Sequence, residues 1–352
     1  MRPELADLWI WFADNVCREY SPIYDRVSRT VATSEPVLAL VEQAPPRSHQ
    51  PNVLLAAVHY LILGGLDHPL AAVYAGNSDA DPGPLFVDVC STYPDEIMRL
   101  LRTRHTNTNE VGRSAIVALA LSATAERAGT PLAHVDVGCS AGLNLYCDRY
   151  RLDYGGAGAT GPAGAAVEIS CEVVGGRPPI APAVPPIVER IGIDLDPVDV
   201  TDDDQALWQL ALVFPDTNRL PRTRRALEEL RRDPPRIVQG DAVDTVGPVL
   251  RGLHSDAFPI VTTTWAAAYF PAERRAEFRE RLAEVSRTRP VVWVSAEGPG
   301  VVDLFAGVDA PYDAQGLQAS VLGLAHFEGG GVVTELLGFA HPHGQWVDWR
   351  AN

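Results

Sequence analysis

No lysine occurs among the 352 residues, so all 29 basic side chains are arginine. This absence excludes a P-loop lysine, a Schiff-base lysine and a lysine general base. Acidic residues outnumber basic ones, since 45 acidic residues against 29 arginines give a formal net charge of -16. Such a chain would repel a phosphate backbone, and its few arginine clusters are interleaved with acids. We therefore expect no nucleic-acid partner.

Paired cysteines and long apolar runs are also missing. The five cysteines are widely spread and form no C-x-x-C pair, which is typical of reduced thiols in a cytoplasmic protein. Glu4, Asp7 and Asp14 near the N-terminus are atypical of a signal peptide, and no run approaches the roughly 18 apolar residues of a membrane span. We expect a cytoplasmic protein with no membrane partner and no metal; the sequence leaves its oligomeric state open.

The first hundred residues carry helical patterns only. Apolar residues recur at helical spacing, with Pro and Gly breaks between the segments, and His59 lies on an apolar face where a core histidine is expected. The predicted helices are Glu4–Glu19, Ile23–Ala32, Val37–Glu42, Asn52–Leu63 and Pro94–Arg102. We assign residues 1–105 to an all-helical N-terminal domain that forms a lid or shapes a substrate pocket.

Helices and strands alternate after Arg113, which predicts an α/β domain over residues 106–352 with a doubly wound, mostly parallel, Rossmann-like sheet. The predicted strands are Ala133–Val137, Val188–Asp194, Arg236–Gln239, Ile260–Thr264 and Val291–Ser295. The predicted helices are Ser114–Ala128, one from Ala141, Asp204–Val213, Arg222–Arg232 and Ala272–Ser286. Residues 146–187 are predicted to be an inserted hairpin or loop. A C-terminal antiparallel hairpin is predicted from Ala319–Phe327 and Val332–Phe339, which flank three glycines.

The most informative segment is the turn that follows the first predicted strand. Gly138 and Gly142 let the backbone approach a ligand, and a helix start near Ala141 would offer free N–H groups, as in an adenosine-binding site. The same letters spell Gly-x-Ser-x-Gly, the nucleophile elbow of a hydrolase, with Ser140 as nucleophile.

Acids at three predicted strand ends favour the cofactor interpretation. Asp136 is placed to hold the amino group of a methionine moiety, and Asp194, with Asp196 as the second choice, to accept both hydroxyls of a ribose. Asp241 and the N–H of Ala242 are placed to meet an adenine ring. Each acid alone is more typical of a turn or a helix cap, but their order along the chain points to one site.

From Arg113 to the C-terminus the chain resembles the class I S-adenosylmethionine-dependent methyltransferases. The resemblance rests on Asp136, on Gly138 with Gly142, on Asp194 and on the Asp241-Ala242 pair, and the final hairpin is similar to that family's last two strands. Ser140 stands where that family commonly has glycine. The fourth strand lacks the Asn/Asp-Pro-Pro-aromatic signature, so nucleobase N-methylation is not expected.

Nearly the full length also resembles an uncharacterised bacterial family, the domain of unknown function 2332. The segments that carry this resemblance are Thr108–Arg113, Ser140–Leu145, Asp148–Tyr150, Gly192–Asp194 with Pro197–Val200, and His341–Gly344. This second resemblance implies a methyltransferase-like fold and no particular substrate.

These patterns predict an S-adenosylmethionine-dependent methyltransferase that acts on a small-molecule acceptor, at oxygen. The predicted cofactor-binding residues are Asn109, Arg113, Asp136, Gly138, Cys139, Ser140, Gly142, Asn144, Asp194, Leu195, Asp241, Ala242 and Thr264. Arg113 would pair with the methionine carboxylate. The catalytic candidates are Glu110, His341 and His343, with a histidine as general base for a hydroxyl acceptor. An ordinary helix start, with Asn107 as the N-cap and Glu110 three residues later, and a structural role for the histidines remain equally open.

Two alternatives of other classes remain. A serine hydrolase would use Ser140, Asp241 or Asp244, and His341 or His343, in the chain order Ser, Asp, His. The helical region before the elbow and the lack of a His-Gly-Gly segment disfavour it. The other alternative is a non-catalytic adenosylmethionine-binding protein whose helical part docks a partner. A dinucleotide oxidoreductase fits worst, because the glycine spacing is not G-x-G-x-x-G.

Overall fold

The structure, a computed structural model, describes residues 2–18, 20–107, 109–128, 131–313 and 316–351. The chain divides into two compact units. The helical unit comprises Met1–Thr108 with Thr201–Arg224, and the sheet unit comprises Asn109–Val200 with Arg225–Asn352. Residues 201–224, which the sequence pattern groups with the α/β region, thus pack with the N-terminal helices.

The helical unit is built around one apolar core. Its helices are α1 (Arg2–Phe12), α2 (Pro22–Ala32), α3 (Glu35–Glu42), α4 (Pro51–Leu63), α5 (Pro69–Tyr74), α6 (Pro82–Thr92), α7 (Pro94–Thr103) and α9 (Asp203–Ala211). Trp208 of α9 is buried in the same cluster as Trp9 and Leu54, which explains why residues 201–224 belong here. His59 is a core histidine as predicted. Its Nδ1 lies 3.1 Å from the Ala211 carbonyl oxygen, and burial lowers its pKa to about 4.

The sheet unit contains a nine-stranded sheet in the order β5-β12-β11-β10-β9-β8-β1-β6-β7. Its strands are β1 (Leu132–Val137), β5 (Glu172–Gly175), β6 (Ile187–Asp194), β7 (Arg236–Gln239), β8 (Phe258–Thr264), β9 (Val291–Glu297), β10 (Ser320–Glu328), β11 (Gly331–Ala340) and β12 (Trp346–Trp349). The run β9-β8-β1-β6-β7 is parallel, whereas β10, β11 and β12 follow as antiparallel neighbours. The predicted α/β class, the large mostly parallel sheet and the C-terminal hairpin are confirmed.

The helices of this unit are α8 (Ser114–Ala128), α11 (Ala242–Gly252) and α12 (Ala272–Ser286), and the boundary between the units falls inside α10 (Arg219–Arg232). Aliphatic side chains of the parallel strands pack with α11 and α12 in one buried cluster that includes Val135, Val261 and Leu282. No helix of the described ranges is both long and apolar enough to cross a bilayer.

One local prediction is wrong, and another is incomplete. The helix expected from Ala141 is a short 3₁₀ helix, Leu143–Arg149, because Gly142 is left-handed and the backbone kinks at Tyr146. The insertion after it is more than a hairpin. It contributes a small sheet of β2 (Arg151–Asp153), β3 (Ala159–Thr160) and β4 (Glu168–Ser170), and its last strand, β5, pairs with β12 of the main sheet.

We expect Val261→Ala to lower the free energy of unfolding by about 2 kcal/mol, because Val261 is fully buried at the centre of β8 and its loss leaves a cavity. The matched change Val333→Ala, at a strand residue that is 74% exposed, should lower it by less than about 0.5 kcal/mol. Urea denaturation of both variants measures the difference. Equal losses would contradict the placement of this core.

Candidate functional site

The turn after β1 is strongly constrained. Gly138, Ser140 and Gly142 have φ angles of 72°, 51° and 84°, and Ser140 is one of two non-glycine residues among those described that adopt a positive φ. A Cβ at position 138 would overlap the Cβ of Ala266 in the loop after β8. The glycine at 138 therefore lets two loops touch at the carboxyl edge of the sheet.

Asp194, at the end of β6, holds this turn in place. Its Oδ2 accepts the N–H of Ser140 at 2.7 Å, and its Oδ1 accepts the N–H of Asp196 at 2.9 Å. The carboxylate is nearly buried between the two loops. Each carboxylate oxygen can accept a second hydrogen bond, so both remain capable of receiving a ligand hydroxyl.

The two predicted asparagines also brace the turn. Asn109 donates through Nδ2 to the Cys139 carbonyl and accepts the Leu143 N–H at Oδ1, 3.2 Å away. The hydroxyl of Ser114 donates to Asn144 Oδ1 at 2.8 Å. Cys139 is fully buried, and burial raises the pKa of its thiol. Residues at and just before the start of α8 therefore hold the turn in place.

Asp136 lies at the accepting end of a buried chain of hydrogen bonds. Its Oδ1 accepts the Thr262 hydroxyl at 2.7 Å, and that hydroxyl in turn accepts from His134 Nε2 at 2.9 Å. Burial raises the pKa of Asp136 to about 7, against the opposing effect of the Thr262 hydrogen bond, and lowers the pKa of His134 to about 3. Sequence reasoning missed Thr262 and His134, although the alternation along β1 puts His134 on the same face as Asp136.

Arg113 joins three segments through main-chain carbonyls. Its Nε donates to Pro342 at 2.8 Å and its Nη1 to Thr264 at 2.9 Å. The predicted residues Arg113 and Thr264 are therefore brought together with the C-terminal loop. Two of the N–H groups of Arg113, the residue predicted to pair with a methionine carboxylate, therefore donate to carbonyls within the protein.

Glu297, at the end of β9, is a site residue that sequence reasoning missed. Its buried carboxylate accepts the N–H groups of Ala266 and Ala267, each at 3.0 Å, and of Ala268 at 3.3 Å. Burial raises its pKa, while these three N–H groups and nearby Arg113 lower it. The signal was present, since Glu297 is an acid at a strand end like Asp136 and Asp194.

The three catalytic candidates differ in access. Glu110 is buried and its Oε1 accepts the Gly112 N–H at 2.8 Å, which is a capping role. His341 is buried too. Its Nδ1 accepts the His343 N–H at 3.0 Å, and its Nε2 lies 3.7 Å from Asp313 Oδ2. His343 is half-buried, with its ring centroid 5.5 Å from that of His341.

The predicted adenine site lies at the next strand end. Asp241 Oδ1 accepts the N–H of Val243 at 2.9 Å, which caps α11, and Asp241 also pairs with Arg274. Ala242 is the first residue of α11. The Gly240 N–H donates to the Asp194 carbonyl at 2.9 Å, which connects the end of β7 to the end of β6. Next to Asp194, the side chain of Leu195 is 73% exposed, which is unusual for a leucine.

The fold and this edge define a mixed α/β protein with polar side chains gathered at the carboxyl ends of parallel strands. A family model for uncharacterised proteins conserved in bacteria, the domain of unknown function 2332, matches residues 6–349. The chain belongs to that family. A comparison with curated proteins finds no match. Thr108, the first residue of one motif quoted for this family, lies outside the described residues.

We expect Asp136→Asn to change how stability depends on pH. The folded-state pKa of about 7 lies above the ordinary 3.8, so the neutral carboxyl contributes stability below about pH 4 that is lost as the pH rises to 7. Relative to the wild type, the amide variant should gain up to about 1.4 kcal/mol per pH unit within this window. Urea denaturation at several pH values measures this gain, with exposed Asp256→Asn as the control for the loss of a charge. A constant difference between variant and wild type would contradict the burial of Asp136.

We expect no labelling of the native protein by a serine-directed fluorophosphonate, because Ser140 is fully buried. The measurement is gel fluorescence beside a reactive serine hydrolase as positive control. Labelling that disappears in Ser140→Ala would make Ser140 a nucleophile and reverse this expectation.

Proposed function

We propose that this protein is an S-adenosylmethionine-dependent methyltransferase that acts on a small molecule at oxygen. The observation that carries the proposal is the pair Asp136 and Asp194, which end neighbouring parallel strands at one edge of the sheet. Numbered in chain order, the five parallel strands run 3-2-1-4-5, with the reversal between β1 and β8. Ligands of doubly wound sheets bind outside the carboxyl ends of the strands, where the order reverses.

The residues at this edge fit an adenosyl ligand in four respects. Asp194 retains acceptor capacity for ribose hydroxyls. Leu195 exposes an apolar surface beside it, suited to the face of an adenine ring. Asp136 uses Oδ1 alone in hydrogen bonds among the described residues, which leaves Oδ2 to accept from an ammonium group. Asp241 and Ala242 lie at the adjoining strand end. When bound, S-adenosylmethionine supplies an electrophilic methyl group.

The chain's own contribution is to hold these groups still and to take a proton from the acceptor. The anchored loops after β1 and β8 need little reorganisation on binding, which favours a defined orientation of the reacting groups. We assign the role of general base to His343, since its side chain is more accessible than those of Glu110 and His341. The lid role for the helical residues stays a prediction.

The alternatives are less well supported. A hydrolase needs an accessible nucleophile, whereas Ser140 is buried and its N–H is bound by Asp194. A non-catalytic binder would use the same cofactor residues, so only turnover separates it from an enzyme. Methyl transfer from labelled cofactor to a pool of bacterial metabolites is the discriminating measurement.

We expect Asp194→Ala to reduce S-adenosylmethionine affinity by at least about 100-fold, because both ribose contacts and the loop anchor are lost. Leu195→Ala should weaken binding about threefold to tenfold without changing thermal stability, since its side chain is exposed. Isothermal calorimetry measures both affinities. Asp256→Ala, at an exposed residue outside this edge, is the matched control for the loss of a carboxylate. Unchanged affinity in a folded Asp194→Ala protein, checked by circular dichroism, would refute the ribose assignment.

A further inference from the structure

A cavity of about 140 Å³ lies between the first turns of α12 and the loop after β9. Its walls include Phe270, Phe278 and Trp293, and the small side chain of Ala276 leaves the space open. Arg275 and Asp303 are the charged residues that line it. The cavity belongs to the sheet unit and uses none of the residues assigned above to the cofactor.

The aromatic wall is fixed in place. The rings of Phe270 and Phe278 are 5.9 Å apart, and those of Phe278 and Trp293 are 5.4 Å apart, both in edge-to-face geometry. Trp293 Nε1 donates to Thr263 Oγ1 at 3.1 Å, so its polar group is satisfied within the protein. What these rings offer a ligand is therefore apolar surface with the geometry that suits another ring.

The charge at the cavity is positive. Asp303 is neutralised by an ion pair with Arg279. Arg274, next to Arg275, is paired with Asp241, Asp244 and Glu277. Arg275 forms no side-chain hydrogen bond or ion pair with any residue that the structure describes. Its guanidinium thus has its donors available beside an apolar, ring-sized space.

We propose that this cavity binds a small carboxylate that carries a single aromatic ring. An apolar cavity of roughly 150 Å³ accommodates benzene, so the volume suits one ring and no more. The ring would pack against Phe270, Phe278 and Trp293, and the carboxylate would accept two hydrogen bonds from Arg275. Guanidinium pairing selects planar carboxylates over anions of other shapes, and the small volume between the rings selects against larger groups.

The position of the cavity relates it to the proposed cofactor edge without making it depend on that proposal. Ala267 lines the cavity, while its neighbour Ala266 packs against Gly138. The loop that Glu297 holds therefore contributes one residue to the cavity and its neighbour to the contact with Gly138. Binding of such a ligand needs no S-adenosylmethionine.

The test is direct binding of sodium benzoate to the full chain by calorimetry or ligand-observed NMR, in the absence of cofactor. Benzamide, which has the same shape without the charge, and acetate, which lacks the ring, are the comparison probes. We expect benzoate to bind at least about tenfold more tightly than either. Arg275→Gln should remove most of the preference for benzoate over benzamide, whereas Arg281→Gln, on the same helix but outside the cavity lining, should leave it unchanged.

Ala276→Leu should abolish binding of both aromatic probes by filling the cavity. If this variant does not fold, Arg275→Gln alone decides, since the Arg275 side chain forms no hydrogen bond or ion pair with a described residue that the change would remove. Absence of saturable benzoate binding to the wild type, or equal benzoate affinity in Arg275→Gln, would overturn the proposal. Because the benzoate experiments contain no cofactor, a negative result in them does not contradict the methyltransferase proposal. Conversely, loss of cofactor binding in Asp194→Ala does not contradict the carboxylate-binding proposal.

Discussion

The hydrogen bond from the Ser140 N–H to the buried Asp194 carboxylate is the contact on which the arrangement at the carboxyl edge depends. Ser140 is held at positive φ, a conformation that costs about 1–3 kcal/mol for a residue with a side chain. A hydrogen bond to a charged group contributes about 1.5–3 kcal/mol, which offsets that strain. The turn after β1 is therefore fixed by its neighbouring strand rather than by its own sequence.

The same principle recurs around the edge. Glu297 gathers three N–H groups of the loop after β8, and Asn109 and Arg113 connect the start of α8 to the turn and to the C-terminal loop. Each anchor is a polar side chain that binds main chain from a distant part of the sequence. Loops held in this way present their groups to a ligand with little further loss of entropy.

Much of the fold was predictable, because buried parallel strands are continuous apolar runs and amphipathic helices repeat every 3.6 residues. β7 and α12 were predicted with the bounds that the structure has. The helix after β1 was predicted wrongly, since the pattern does not reveal a left-handed Gly142 followed by a kink at Tyr146. Short strands such as β12 carry too few residues for a pattern, and their pairing with distant segments makes them strands.

The sequence by itself determined the α/β class, the exclusion of lysine chemistry and the acids that end successive strands. Only the tertiary structure decided which of the predicted acidic residues are committed within the protein: Asp241 caps a helix, Glu110 caps a turn, and Asp194 joins two loops. It also added Glu297, Thr262 and the Arg275 cavity. The physical reason is the sequence separation of the residues in contact. Local patterns act over a few residues, whereas Ser140 and Asp194 are 54 residues apart and Arg113 and Pro342 are 229 apart.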